Sequence, residues 1–133
     1  MSGPIRVMLV DDNPFFVDAA RDFLDLHKTV ELVGTAADGP GALEQAVSLR
    51  PDVILLDLNL REESSIPLIP ILKQHLPEAR IVVITILEES AYSEMAMESG
   101  ADAFIPKRAM TQTLLSSIAD LYEKPERPQD TSN

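Results

Sequence analysis

The stretch PDVILLDLN, residues 51–59, decides the fold of this chain. Its apolar run VILLD does not alternate with polar residues, and it ends at Asp57. Such a short, continuously apolar run is typical of a strand covered on both faces, as the strands of parallel sheets are. Pro51 precedes the run and stops a segment with helical periodicity. The stretch therefore predicts a parallel sheet with helices on both sides, and it leaves an aspartate at the carboxyl end of a buried strand.

The rest of the chain repeats this alternation of strand and helix. Short apolar runs predict four more strands, over residues 5–10, 30–36, 81–85 and within 101–107. Apolar residues at helical spacing predict five helices, over residues 14–26, 38–49, 66–76, 90–99 and 111–122. Because strands alternate with helices, we expect one parallel sheet with right-handed crossovers and helices on both faces.

Prolines and a glycine mark the ends of several predicted helices. Asn13 followed by Pro14 is a favourable helix start, and Gly100 stands where a left-handed C-cap is wanted. Pro67 and Pro70 both fall near the start of the third helix. Since proline beyond the first turn removes a hydrogen bond, we expect this helix to begin late or irregularly.

Length and charge narrow the classes of function. The 133 residues are enough for one domain with a hydrophobic core. Acidic side chains outnumber basic ones 22 to 11, a formal net charge of −11, so the domain should repel nucleic-acid phosphates. No apolar run is long enough to cross a bilayer, and no cysteine is present. We expect a cytoplasmic domain over residues 1–122 that binds neither nucleic acid nor membrane, followed by a polar tail or linker over 123–133.

Charged and polar residues collect where the predicted strands end: Asp11, Asp12, Asp57, Thr85 and Lys107. In an open parallel sheet ligands bind outside the carboxyl ends of the strands, so these side chains should converge on one crevice. Two like charges about 4 Å apart repel by roughly 4 kcal/mol at an effective dielectric constant of ~20, and one lysine cannot neutralise three carboxylates. A divalent cation would relieve this repulsion, and an all-oxygen ligand set suits Mg2+ or Mn2+.

The same groups suit phosphoryl transfer, which needs positioning and charge neutralisation more than covalent help from the protein. A metal ion and Lys107 would clamp the phosphoryl oxygens, and Thr85 would hydrogen-bond one of them. Asp57 ends the strand that we expect at the centre of the sheet. It is therefore the best-placed nucleophile and would form an acyl phosphate.

Four motifs in this order resemble the receiver domain of two-component response regulators: VDDNP (10–14), LLDLN (55–59), VITI (83–86) and FIPK (104–107). The resemblance covers about residues 5–122 and implies a flavodoxin-like α/β fold, (βα)5, with sheet order 2-1-3-4-5. ELVGTAADG and the Lys107-Arg108 pair are most similar to receivers that precede a helix-turn-helix DNA-binding domain. The resemblance implies a phosphorylation switch, not a turnover enzyme, that controls transcription through an effector domain.

The resemblance also implies a role for each matching residue at the site. Asp57 would accept phosphate from the phosphohistidine of a sensor histidine kinase or a phosphotransfer protein. Lys107 would pair with the phosphoryl oxygens. The Mg2+ ligands would be Asp11, Asp12, Asp57 and the backbone carbonyl of Asn59.

A switch and an output surface are implied in the same way. Thr85 and Phe104 would be the switch pair, in which the hydroxyl moves toward the phosphoryl group and the ring repacks behind it. The output face would comprise the helix from Ser90, the last strand and the last helix. That face is also the implied surface for a homodimer.

The loop after Asp57 departs from the family pattern. Receivers commonly have Met-Pro and, further on, Gly at places where this chain has Leu60-Arg61 and Ser65. We therefore expect the turn to be built differently, with Glu62 and Glu63 near the site.

Two other functions remain open from the sequence. Ile86 stands where receivers usually have a small residue, and it could crowd the phosphate entry and slow phosphorylation by small donors. This favours, as an alternative, a receiver-fold module for protein interaction with little phosphorylation. A small-molecule phosphohydrolase is disfavoured, because those enzymes typically have a second aspartate where this chain has Asn59.

Overall fold

A computed structural model describes residues 3–86 and 90–123 of the chain. In that part, five parallel strands form one sheet: β1 (Ile5–Val10), β2 (Val30–Ala36), β3 (Val53–Asp57), β4 (Arg80–Thr85) and β5 (Ala103–Pro106). Their order across the sheet is β2-β1-β3-β4-β5, which confirms the predicted order 2-1-3-4-5. The stretch that decides the fold therefore forms the central strand.

The helices lie within two residues of their predicted bounds: α1 (Pro14–Asp25), α2 (Gly39–Leu49), α3 (Leu68–His75), α4 (Ser90–Glu98) and α5 (Met110–Glu123). The late start of α3 is confirmed, since the helix begins at Leu68 and Pro67 before it makes no side-chain cap. The predicted left-handed position after α4 is confirmed as well, with φ of 120° at Gly100. A short 3-10 helix (Lys107–Ala109) separates β5 from α5.

The two faces of the sheet carry separate hydrophobic cores. All five residues of β3 are buried, and they alternate between the faces. Ile54 and Leu56 pack with residues of α2, α3 and α4. Val53 and Leu55 pack with residues of α1 and α5. Burial of each large aliphatic side chain contributes about 1.5–3 kcal/mol, so the central strand is a large source of stability and a fixed base for Asp57.

A two-stranded hairpin, Asn59–Leu60 paired with Glu63–Ser64, follows the central strand. Its turn residues Arg61 and Glu62 have φ of 52° and 69°. Consecutive positive φ values match the type I′ turn that twisted two-residue hairpins favour, although glycine and asparagine usually supply them. The turn thus forms with arginine and glutamate at these two positions, and its difference from the turn of other receivers stays a prediction.

Hydrogen bonds from Ser65 attach this hairpin to the end of the central strand. The buried Ser65 hydroxyl donates to the backbone carbonyl of Asp57, and its amide donates to the carbonyl of Leu58 at 2.7 Å. Glu62 and Glu63, the two acids that we expected near the site, are both exposed to solvent. The two hydrogen bonds from Ser65 thus hold the backbone at Asp57 and Leu58 from the side of the hairpin.

The predicted tail lies almost wholly outside the described residues, which end at 123, and it stays a prediction. In the described part of the chain, every helix is too short or too polar to span a membrane.

Candidate functional site

The register of the sheet brings the strand ends together at one edge. Val10 pairs with Leu56, so Asp11 follows β1 level with Asp57 on β3. Asp57 pairs with Ile84, which places Thr85 one residue further along β4. Thr85 in turn pairs with Pro106, the residue before Lys107. Residues far apart in sequence thus meet because parallel strands end at the same edge.

Three carboxylates form a cluster at this edge. One oxygen from each of Asp11, Asp12 and Asp57 lies within 4.8 Å of the others. Asp11 is 2% exposed and Asp57 6% exposed, whereas Asp12 is exposed to solvent. Backbone amides orient all three: Asn13 N donates to Asp11 Oδ1 at 2.8 Å, Asn59 N to Asp57 Oδ1 at 3.2 Å, and Arg61 N to Asp12 Oδ2 at 2.8 Å.

Lys107 lies between the two buried carboxylates. Its Nζ atom is 2.8 Å from Asp11 Oδ2 and 3.1 Å from Asp57 Oδ2. Burial disfavours the ammonium form, but the hydrogen bonds and ion pairs to both aspartates outweigh it and raise the pKa of Lys107 above its ordinary value. The lysine is therefore held as a cation in contact with Asp11 and Asp57.

The charge on Asp57 is only partly compensated. Burial raises its pKa from 3.8 to about 6, against the Asn59 amide and Lys107, which lower it, while the negative charge of Asp11 raises it further. At neutral pH this carboxyl is ionised at a cost in stability. Additional positive charge at the cluster would accordingly stabilise the ionised carboxyl.

The cluster fits the divalent cation that the sequence implies. Its donors are oxygens alone, which Mg2+ prefers, and they are close enough to contact one ion. The buried Oδ2 atom of Asp11 is contacted by Lys107 Nζ at 2.8 Å, and no other donor among the described residues reaches it. A buried oxygen with spare acceptor capacity at a charged cluster is what a metal ion would use.

The remaining predicted residues lie at or near this edge. Thr85 is fully buried at the end of β4, and Phe104 on β5 is half-buried against the α2–α4 core. Asn59 is exposed in the first strand of the hairpin. Ile86, which follows Thr85, has a side chain 75% exposed. Their positions agree with the sequence order of the motifs, and their roles stay predictions.

Two contacts at the site were missed at the sequence level. Phe16 lies on the apolar face of α1, and Lys107 Nζ lies 4.3 Å from the centroid of its ring. Ser65 was considered only as a departure from glycine, and it is hydrogen-bonded to the backbone of Asp57. No local periodicity points to either contact, because each depends on how separate elements pack.

The fold and the site together define a class of protein: a flavodoxin-like α/β domain with an acidic cluster and a lysine at the carboxyl edge of its sheet. The chain belongs to the response regulator receiver domain family, whose family model matches residues 7–119. Receivers of this family bind Mg2+ at an acidic pocket, and the cluster of Asp11, Asp12 and Asp57 lies at the corresponding edge here.

Comparison with individual proteins gives the same family. The chain is 34% identical over 115 residues to the nitrate/nitrite response regulator protein NarP of Escherichia coli K12, covering 86% of this chain and 54% of NarP. It is 31% identical over 114 residues to the transcriptional regulatory protein MctR of Rhizobium johnstonii, covering 86% and 53%. The chain thus spans about half the length of these relatives.

A solved structure supports the fold directly. The signal receiver domain of a response regulator NarL from Mycobacterium tuberculosis superposes with a TM-score of 0.84 at 28% identity. The superposition covers 93% of this chain and all of that domain, 100%. The predicted family and fold class are therefore confirmed.

Proposed function

We propose that this domain is a phosphorylation switch in which Asp57 is the phosphoacceptor. The observation that supports it best is the position of Asp57, at the end of the central strand, 3.1 Å from the Lys107 ammonium and in one cluster with two further carboxylates. The Lys107 ammonium group offsets part of the charge of Asp57, and a cation bound at the cluster would offset more of it.

In the proposed reaction a carboxylate oxygen of Asp57 forms a bond to phosphorus. The bond from phosphorus to the donor's imidazole nitrogen breaks, and its electron pair stays on that nitrogen. The Lys107 ammonium group stays at the acceptor site and exchanges its contacts with the carboxylates for contacts with the transferred oxygens. The Mg2+ ligands would be Asp11, Asp12, Asp57 and the Asn59 backbone carbonyl, and bound Mg2+ would supply charge neutralisation for carboxylates and phosphoryl oxygens alike.

The proposed output follows from the family. A sensor histidine kinase or a phosphotransfer protein in the cytoplasm donates the phosphate, and Thr85 with Phe104 forms the switch pair. Phosphorylation shifts an existing equilibrium of the surface made by α4, β5 and α5, where a homodimer can form. The similarity to NarP and MctR supports control of transcription through an effector domain.

Phosphodonor labelling tests this function directly. The purified domain is incubated with phosphoramidate and Mg2+, and intact mass spectrometry measures incorporation. We expect one phosphoryl group per chain, lost on treatment with hydroxylamine as acyl phosphates are, and no incorporation in EDTA. Absence of labelling with every phosphodonor and divalent metal would contradict the proposal and favour the receiver-fold interaction module.

Mg2+ should stabilise the domain before any phosphorylation. At an ion concentration ten times the dissociation constant, binding to the folded state adds about 1.4 kcal/mol, a rise in melting temperature of several degrees. Thermal melts with and without Mg2+ measure the rise. Asp12→Asn should abolish most of it, because this variant removes one ligand of the cluster.

The matched control for that melt is Asp22→Asn, which removes an exposed α1 carboxylate outside the cluster. Its Mg2+ response should equal that of the unmodified domain. Equal Mg2+ responses in all three proteins would reject the cluster as the binding site.

Replacement of Ile86 tests the crowding hypothesis. Ile86→Ala should raise the labelling rate with phosphoramidate several-fold, because a bulky side chain is removed next to the proposed switch threonine. Time courses by mass spectrometry give the rate. An unchanged rate would show that this exposed side chain does not limit access of small donors.

A further inference from the structure

The Lys107 ammonium group has a third contact besides its two carboxylates. Its Nζ atom lies 4.3 Å from the centroid of the Phe16 ring on α1. The lysine side chain is only 13% exposed, so little water separates the charge from its neighbours. A cation over the face of an aromatic ring is attracted by the ring's quadrupole, and the attraction is stronger where little water screens it.

The start of α1 fixes the position of the Phe16 ring. The Asn13 side chain caps the helix and accepts hydrogen bonds from Phe15 N at 2.9 Å and Phe16 N at 3.4 Å. Pro14 restricts the first turn. The Phe16 side chain is half-buried and packs against the α1–α5 core. The ring is therefore held from both its backbone and its packing.

The three contacts of Lys107 differ in how they respond to the reaction. The carboxylates of Asp11 and Asp57 are the groups that a metal ion and a phosphoryl group would engage, so their hold on the lysine must weaken during phosphoryl transfer. The Phe16 ring carries no ionisable group and binds no metal. It can keep the ammonium group in place while the carboxylates change partners.

We propose that Phe16 is a positioning residue for Lys107 and holds its ammonium group at the acceptor site by a cation–π contact. This inference rests on the proposed function for its catalytic consequence, although the contact itself does not. The alternative is that Phe16 only fills the core, in which case any apolar side chain of similar size would serve.

Three variants separate these two roles. Phe16→Leu keeps an apolar side chain without an aromatic face, and Phe16→Tyr keeps the face. Phe15→Leu is the matched control, since Phe15 is the preceding residue of α1 and its side chain is 83% exposed. Melting curves of all three are measured first, so that rates are compared only between folded proteins.

Nuclear magnetic resonance of the metal-free domain reads the contact without any phosphorylation. Protons near Lys107 Nζ should be shifted upfield by the ring current of Phe16. The shift should be lost in Phe16→Leu and retained in Phe16→Tyr and Phe15→Leu. An identical Lys107 shift in Phe16→Leu would overturn the proposed contact.

Labelling rates with saturating Mg2+ and phosphoramidate measure how the Phe16 contact affects phosphorylation. Phe16→Leu should be slower by roughly twofold to thirtyfold, the range that a cation–π contact supports, with Phe16→Tyr restoring the rate and Phe15→Leu leaving it unchanged. Equal loss in Leu and Tyr variants, or no loss in either, would overturn the positioning role. If the unmodified domain takes up no phosphate, the proposed function fails, and the resonance shifts still decide where Lys107 is held.

Discussion

Asp57→Asn is expected to take up no phosphate from phosphoramidate under conditions that label the unmodified domain fully. Asparagine has nearly the same shape as aspartate, but its amide is not a nucleophile toward phosphorus. It also removes one of the charges that hold Lys107. Intact mass spectrometry after incubation with Mg2+ gives the result, and Asp22→Asn serves as the labelled control.

Loss of labelling is informative only if Asp57→Asn is folded. The pKa of Asp57 is raised to about 6 in the folded protein, mainly by burial, from an ordinary value of 3.8. The group therefore favours folding below pH 3.8 and loses that contribution as the pH rises through about 6. Without metal at pH 8, the variant should melt at a higher temperature than the unmodified domain. Its free energy of unfolding should be larger by up to about 2 kcal/mol, a figure that allows for solvent screening.

A folded Asp57→Asn that still carries one phosphate per chain would reject Asp57 as acceptor. In that case peptide mapping would show which other carboxylate carries the group. Lower stability than the unmodified domain at pH 8 would instead contradict the view that the buried charge at Asp57 is under-compensated.

Periodicity predicted most of the fold, because a strand that is buried on two faces has a continuous apolar run in the sequence. The unbroken VILLD run gave the central strand, and Asp57 at its end gave the site, since strand ends of a parallel sheet share an edge. Helix ends were predictable where the backbone needs particular residues, as at Asn13 and Gly100.

The details that sequence reasoning missed are those in which tertiary packing outweighs local preference. Arg61 and Glu62 adopt positive φ angles without being glycine or asparagine, so turn propensity alone does not predict their type I′ hairpin. The Phe16 ring faces Lys107 only because α1 and the segment after β5 pack on the same side of the sheet. Pairings of this kind are set by the assembled core.

Lys107→Met is expected to lower the stability of the metal-free domain by about 2–4 kcal/mol at pH 8. Methionine keeps much of the apolar stem but removes the cation that contacts both Asp11 and Asp57. Breaking a buried ion pair from one side is costly, because the remaining charges are left without compensation. Thermal or urea unfolding measures the loss, and Lys28→Met, at an exposed lysine, is the control.

The pH dependence of this loss identifies its electrostatic origin. Lys107 lowers the pKa of Asp57, so its removal should raise that pKa above the present value of about 6. A raised carboxyl pKa means that stability is retained at low pH and lost as the pH rises through the folded value. The difference between Lys107→Met and the unmodified domain should therefore be smaller at pH 5 than at pH 8, because Asp57 is largely protonated at pH 5 whereas the contact with Asp11 is lost at both pH values.

Mg2+ should restore part of the stability of Lys107→Met, because a divalent cation at the same cluster replaces the missing positive charge. The rise in melting temperature on adding Mg2+ should accordingly be larger in this variant than in the unmodified domain. In the control Lys28→Met the rise should equal that of the unmodified domain. A loss that is equal at pH 5 and pH 8 and insensitive to Mg2+ would mean that Lys107 stabilises the fold by packing alone. Charge balance at the acidic cluster would then not be its role, and the proposed clamp on the phosphoryl group would lose its main support.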